Sequence, residues 1–183
     1  MPSESSPWAC TVNCKGMIIV LMGVSGTGKT TVGRLLAAAL HCEFLEGDSL
    51  HSAANVEKMA HDIPLTDADR QPWLEAIRAR LEQDWRQGRT LVAACSALKQ
   101  AYRDFLDATV PVQWVFLTGP EPLLYSRIEH RHGHYMKADM LASQIAALEA
   151  PTDALTVDVT PQPEKIVAAI LAALPPAGSV LPV

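Results

Sequence analysis

The stretch Gly23-Val24-Ser25-Gly26-Thr27-Gly28-Lys29-Thr30 constrains this chain more than any other. It meets the phosphate-loop pattern G-x-x-x-x-G-K-[ST] at every fixed position. The apolar run Met17–Met22 before it, rich in β-branched residues, predicts a buried strand. After Thr30, the residues Val32, Leu35, Leu36, Ala39 and Leu40 recur at helical spacing. Strand, glycine turn and helix are what anion binding needs. The glycines let backbone N–H groups turn inward around a phosphate, and the helix start adds the positive end of its dipole. Lys29 supplies a mobile charge for the outer phosphates, and the Thr30 hydroxyl can ligate Mg²⁺. Residues Gly23, Val24, Ser25, Gly26, Thr27, Gly28, Lys29, Thr30 and Thr31 are therefore the expected nucleoside-triphosphate contacts. A functionless glycine turn does not account for both correct flanks.

Four further strands are predicted, at 42–46, 90–95, 112–117 and 155–159, with helices between them. Such alternation implies an α/β fold of three layers, a five-stranded parallel sheet with helices on both faces. Apolar stripes mark the helices. Leu74, Ile77, Leu81 and Trp85 form one, with Pro72 expected in its first turn. Tyr102, Phe105 and Leu106 form another, and Leu123, Leu124 and Ile128 a third. Met140, Leu141, Ile145 and Leu148 precede Pro151, and Ile166, Val167, Ile170 and Leu171 come last. These stripes are core faces. Residues 17–174 read as one domain, preceded by a Ser-rich extension over 1–16 expected to be disordered and followed by a Pro-rich flexible tail over 175–183.

Composition narrows the classes. With 183 residues the chain holds one domain, and 49% hydrophobic against 19% charged residues suffices for a core. A net charge of -5 argues against a nucleic-acid binder. No apolar run reaches the ~18 residues of a membrane span. Of the four cysteines, Cys10 and Cys14 could form half a metal site, but no Cys/His pair elsewhere completes it. Cys42 and Cys95 read as core thiols, reduced as in a cytoplasmic enzyme.

In an open parallel sheet, ligands lie beyond the carboxyl ends of the strands. The second strand is followed by Glu46-Gly47-Asp48-Ser49-Leu50-His51. Asp48 there can accept the proton, or a hydrogen bond, from an attacking hydroxyl, or hold a water on Mg²⁺. The competing reading is a helix cap, through Asp48 or Ser49. His51 is either a substrate contact or a satisfied polar residue. The polar segment from Asn55 to Arg70 is either a solvated face or a substrate arm, in which Lys58 and Arg70 would pair with an anionic group. Strand three ends in Cys95-Ser96 without the Mg²⁺-binding Asp typical of phosphate-loop proteins. Ser96 could substitute through water, as could Glu46. The missing acid disfavours GTPases and motors and leaves small-molecule kinases. Arg103 is a further candidate substrate contact. The segment 127–137 carries Arg127, Arg131 and His134; a mobile basic lid there would bring the arginines to the transferring phosphoryl group. An exposed helix end stabilised by the dipole is the alternative.

Taken together these stretches resemble the small phosphate-loop gluconokinases. The match runs through Leu21–Thr30, Glu46–His51, Asn55–Met59 and Pro64–Leu74. It continues through Cys95–Lys99, Tyr102–Asp104, Arg131–Tyr135, Ser143-Gln144 and Leu148–Pro151. The resemblance implies ATP- and Mg²⁺-dependent phosphorylation of the 6-hydroxyl of D-gluconate, in gluconate catabolism feeding the pentose phosphate or Entner-Doudoroff route. It also implies a fold similar to shikimate and adenylate kinases, and a homodimer. By that likeness Asp48 lies where related kinases use an acid on the acceptor hydroxyl and Lys58, Arg70 and Arg103 are gluconate contacts; with the phosphate loop and lid, the expected catalytic set is Lys29, Asp48, Arg127 and Arg131. Asp48, His51, Lys58, Arg70, Ser96, Arg103 and His134 are the expected substrate contacts, and Thr30 is expected to hold Mg²⁺ with waters on Glu46, Asp48 or Ser96. Ser52-Ala53-Ala54 is less basic than expected of such a kinase, and the extension is unmatched. A shikimate- or nucleotide-directed kinase and a nucleotide-gated binding module are the alternatives.

Overall fold

The computed structural model describes residues 16–61, 63–130 and 138–175. The predicted extension over 1–15 and the tail from 176 lie outside the described residues, as do Arg131, His134 and the rest of the expected lid over 131–137.

Five parallel strands form one sheet in the order β2-β3-β1-β4-β5. They are β1 (Ile18–Met22), β2 (Glu43–Glu46), β3 (Leu91–Ala94), β4 (Val112–Thr118) and β5 (Leu155–Asp158). β1 lies at the centre, with Val20 opposite Ala93 of β3 on one side and Trp114 of β4 on the other. Every residue of β1 is fully buried, as an all-apolar run between two helical layers must be. Each side chain so buried stabilises the fold by about 1.5–3 kcal/mol.

The strand's two-residue period divides the core. Ile18, Val20 and Met22 face one layer, where they meet Trp73, Leu74, Ile77 and Leu81 of α3 (Asp67–Arg86) and Leu106 of α4 (Gln100–Asp107). Ile19 and Leu21 face the other. There they meet Val32 and Leu36 of α1 (Lys29–Ala39), Leu124 of α5 (Glu121–Glu129), Leu141 of α6 (Ala138–Ala147) and Ile166 and Ile170 of α7 (Pro163–Ala173). The predicted stripes face the core, except that Leu35 of α1 is 37% exposed.

The polar segment after β2 resolves into a 3₁₀ turn (Gly47–Leu50), a short helix α2 (Ala53–Ala60) and the first turn of α3. α3 begins five residues before Pro72, contrary to the expectation of Pro72 in its first turn. A capping box sets the earlier start: Thr66 Oγ1 accepts from the Asp69 N–H at 3.1 Å, and Asp69 Oδ2 accepts from the Thr66 N–H at 2.9 Å. That cap prevails over the one backbone bond that Pro72 cannot donate. At the far end of α3, the buried Asp84 receives Arg80 and Arg89, and Arg80 also reaches Glu43 of β2. This ties the helix to the amino edge of the sheet, away from the loops that follow the strands.

Candidate active site

The phosphate loop joins β1 to α1, so its amides gather at the start of an eleven-residue helix. Gly23 makes the turn with φ 139°, and a Cβ there would stand 2.4 Å from the Leu117 carbonyl oxygen. Only glycine fits between β1 and β4 at that point. Thr27, buried, donates from its hydroxyl to the Val24 carbonyl at 2.8 Å and braces the loop from inside. The Lys29 ammonium lies back on the loop, donating to the carbonyls of Gly23 at 2.9 Å and Val24 at 3.0 Å. The Ser25 N–H donates to the side-chain oxygen of Gln144 on α6, at 2.7 Å.

Asp48 sits on the neighbouring loop, exposed, in the 3₁₀ turn after β2. Gly47 places it. Gly47 packs so closely on β3 that a Cβ would come within 2.3 Å of the Ala94 carbonyl oxygen. The Gly47 carbonyl accepts the indole N–H of buried Trp73 at 2.8 Å. His51 stacks on the same indole, with ring centroids 4.5 Å apart and planes 11° from parallel. The capping role considered for Asp48 falls to Ser52, whose hydroxyl accepts from the Asn55 N–H at 3.2 Å. Ser49 closes its own turn by donating to the Glu46 carbonyl at 2.7 Å.

Cys95 links the two loops. Its burial pushes the thiol up to about 12; the charges of Asp48 and Glu46 push the same way, and Lys29 opposes them. All three groups therefore lie close enough to act on one sulfur at the end of β3. Cys95 stands near where an Mg²⁺-binding acid is usual, and a protonated thiol is no ligand for a hard cation. Ser96, next along, accepts the Gly23 N–H on its carbonyl at 3.3 Å. Among the described residues no group of three His, Cys, Asp or Glu side chains forms a metal cage. That donor set fits a Mg²⁺ bound mainly by phosphate oxygens, which the Thr30 hydroxyl and waters on the nearby carboxylates would help to hold.

His51 is held below the usual histidine range, first by burial and then by Arg70, with Asp48 opposing. Its Nδ1 has no hydrogen-bond partner among the described residues. Beyond it lies a polar cluster. Lys99 donates to both oxygens of Asp67 at 2.8 Å, the Tyr102 hydroxyl donates to the same carboxylate, and the Arg70 guanidinium is 3.6 Å from it. The Lys99 and Tyr102 hydrogen bonds hold Asp67 below the usual carboxylate range. Lys58 is engaged by Asp69 at 2.7 Å, and that bond, with the Thr66 donors, brings the carboxyl down to about 2.

Two expected ligands have protein partners in this structure. Arg103 is only 2% exposed; its guanidinium donates to the carbonyls of Ala97, Leu98 and Glu149 and to the Gln100 side chain. It fixes the loop after β3, and its Nε has no hydrogen-bond partner among the described residues. Arg127 donates to the Val159 carbonyl at 2.8 Å, beside the end of β5. Trp73, Gln144 and the Asp67–Lys99–Tyr102 cluster received no role from the sequence. All lie within the motif stretches, but nothing in their spacing reveals which partner each meets.

A phosphate loop at the centre of a 2-3-1-4-5 parallel sheet, with an exposed carboxylate on the adjoining loop, defines a small-molecule phosphotransferase of the phosphate-loop class. A family profile described as an AAA domain matches residues 18–154. The gluconokinase of Gluconobacter oxydans (strain 621H) is 47% identical over 140 residues, which cover 76% of this chain and 79% of that one. The thermoresistant gluconokinase of Escherichia coli (strain K12) is 41% identical, over 88% of this chain and 95% of its own. The crystal structure of a gluconokinase from Sinorhizobium meliloti 1021 superposes with a TM-score of 0.79 at 43% identity, covering 87% and 92%. The chain belongs to the gluconokinase family.

Proposed function

We propose that this protein transfers the γ-phosphoryl group of ATP to the 6-hydroxyl of D-gluconate, giving 6-phospho-D-gluconate and ADP. The observation that carries the reading is the placing of the phosphate loop and the Asp48 turn at the same end of β3, where Gly47 packs on the Ala94 carbonyl and the Gly23 N–H donates to Ser96, in a chain 41–47% identical to named gluconokinases. The bond from the γ-phosphorus to its bridging oxygen breaks as the bond to the sugar hydroxyl oxygen forms. Asp48 accepts the hydrogen of that hydroxyl. Phosphoryl transfer asks for positioning and charge stabilisation more than covalent help. The loop Gly23–Thr31 holds the polyphosphate, Lys29 moves from its own carbonyls onto the outer phosphates, and Thr30 contributes to Mg²⁺. Arg127 and Arg131 would steady the transferring group.

The substrate's carboxylate needs a cation, and its hydroxyls need neutral partners. Arg70, 3.6 Å from Asp67, is assigned the carboxylate, with Lys58, held by Asp69, as the second cation. His51, kept neutral, serves a hydroxyl through Nδ1, and Ser96 and His134 are further contacts. A homodimer in the cytoplasm is the expected setting. Among the described residues no helix is long and apolar enough to cross a membrane.

The test is ADP release with gluconate, shikimate, nucleoside monophosphates and other sugar acids as acceptors. Gluconate is expected to give turnover well above the rest. Absence of gluconate-stimulated ADP release would overturn the proposal.

A further inference from the structure

The Ser25–Gln144 contact is not explained by the reaction above. Ser25 is the third residue of the phosphate loop, and its backbone N–H is one of the donors such a loop turns toward an anion. Here that donor is already engaged by the Gln144 side-chain oxygen at 2.7 Å, the separation a phosphate oxygen would take. One N–H makes one strong hydrogen bond, and two acceptor oxygens crowded upon it repel. Polyphosphate and Gln144 therefore compete for the same amide.

The position of α6 gives the competition a consequence. Just past its end, the Glu149 N–H donates to the Leu98 carbonyl at 2.9 Å. The Glu149 carboxylate accepts the Gln100 N–H at 2.6 Å, and its carbonyl accepts Arg103 at 2.9 Å. The loop so fastened also carries Ser96, whose carbonyl accepts the Gly23 N–H at 3.3 Å. The contacts form a closed circuit: phosphate loop, Gln144, α6, Glu149, the loop after β3, and the phosphate loop again. Breaking the link at Gln144 removes the tie between α6 and the phosphate loop, while Leu141 stays packed in the core and Glu149 stays fastened to the loop after β3.

We infer that Gln144 is an internal surrogate for a phosphate oxygen, a positioning residue that polyphosphate displaces from the Ser25 amide, so that α6 and the acceptor-side loop sense an occupied nucleotide site. The inference rests on the nucleotide-binding reading of the loop and not on the identity of the acceptor. Unlike a direct nucleotide ligand, a surrogate opposes binding. Gln144→Ala is therefore expected to tighten ADP by about three- to tenfold, the range of a net hydrogen bond. Gln144→Glu presents a charged acceptor to the amide and repels phosphate, so ADP should weaken by more than about tenfold.

Calorimetric titration of the full chain with ADP, and separately with pyrophosphate, gives these affinities without turnover. Gln144→Met keeps the side chain's bulk against α6 and is expected to follow Gln144→Ala, which covers the case in which the smaller variant misfolds. Tighter binding in the Ala or Met variant together with weaker binding in the Glu variant supports the inference. Weakened ADP in the Met variant would make Gln144 an ordinary nucleotide ligand and overturn it; so would affinities within twofold of the parent. Should the parent bind ADP but fail to phosphorylate gluconate, the acceptor assignment falls and this inference stands. Should the parent bind no ADP, both fall.

Discussion

Replacing Trp73 with Phe isolates the hydrogen bond that places Asp48. The smaller ring still offers a face for His51, now stacked at 4.5 Å, but has no N–H for the Gly47 carbonyl, which accepts it at 2.8 Å. Trp73 is 3% exposed, so water does not readily replace the lost donor. An orphaned buried carbonyl costs about 1–3 kcal/mol, and the space left by the smaller ring adds about 1 kcal/mol. A total near 3 kcal/mol lowers Tm by about 6–12 °C for a domain of this size. The catalytic effect is separate. With its clamp gone the Gly47-Asp48 turn can shift, and a displacement near 1 Å costs on the order of a hundredfold in rate. Below the melting range, kcat is expected to fall by about ten- to hundredfold, while ADP affinity stays within twofold of the parent. Thermal melts, calorimetry with ADP and steady-state kinetics with gluconate separate the three quantities. If kcat stays within twofold of the parent while Tm falls as expected, Trp73 supports the fold but does not hold the acid, and the reasoning fails.

Asp48→Asn is expected to lower kcat by about 10²- to 10⁴-fold, the usual span for a general acid–base group, with ADP binding intact; near-parental turnover would remove Asp48 from the chemistry. Arg103→Met takes a donor from the Ala97 and Glu149 carbonyls and the Gln100 side chain, while the Leu98 carbonyl keeps the Glu149 N–H, and about 3 kcal/mol of stability should be lost in denaturant melts. Arg103→Lys should recover only part of it, because an ammonium cannot reproduce the fork. The lowered His51 pKa means that the unfolded chain binds a proton on this ring before the folded one does. Stability from this group is therefore full above about pH 6.5 and declines as pH falls through the folded value. In kinetics, kcat/KM for gluconate should fall on the acid side with His51, and His51→Gln should flatten that limb.

The sheet and its helices were legible because each strand is a short apolar run and each helix carries a stripe at the right period. The phosphate loop was legible because its chemistry fixes residue types at fixed spacings. The start of α3 was misjudged: Pro72 drew attention, while the capping box of Thr66 and Asp69, five residues upstream, carries the local energy. The partners of Arg103 are hidden from the sequence for a different reason. A sequence shows that a guanidinium is near a site, but not that four acceptors from two loops enclose it. Such contacts join residues up to 46 positions apart, and no local pattern encodes them.

The placement of β1 between β3 and β4 divides the labour of the molecule. Loops after β2 and β3 lie on one side of it and carry Asp48, His51 and Arg70. The ends of β4 and β5 lie on the other, beside α5 and Arg127. On the proposed assignment a change of acceptor would fall in residues 47–70 and 96–103, the second of which meets the phosphate loop through the Ser96 carbonyl. Exchanging those two segments together, and not either one singly, is how this scaffold would be redirected to another alcohol.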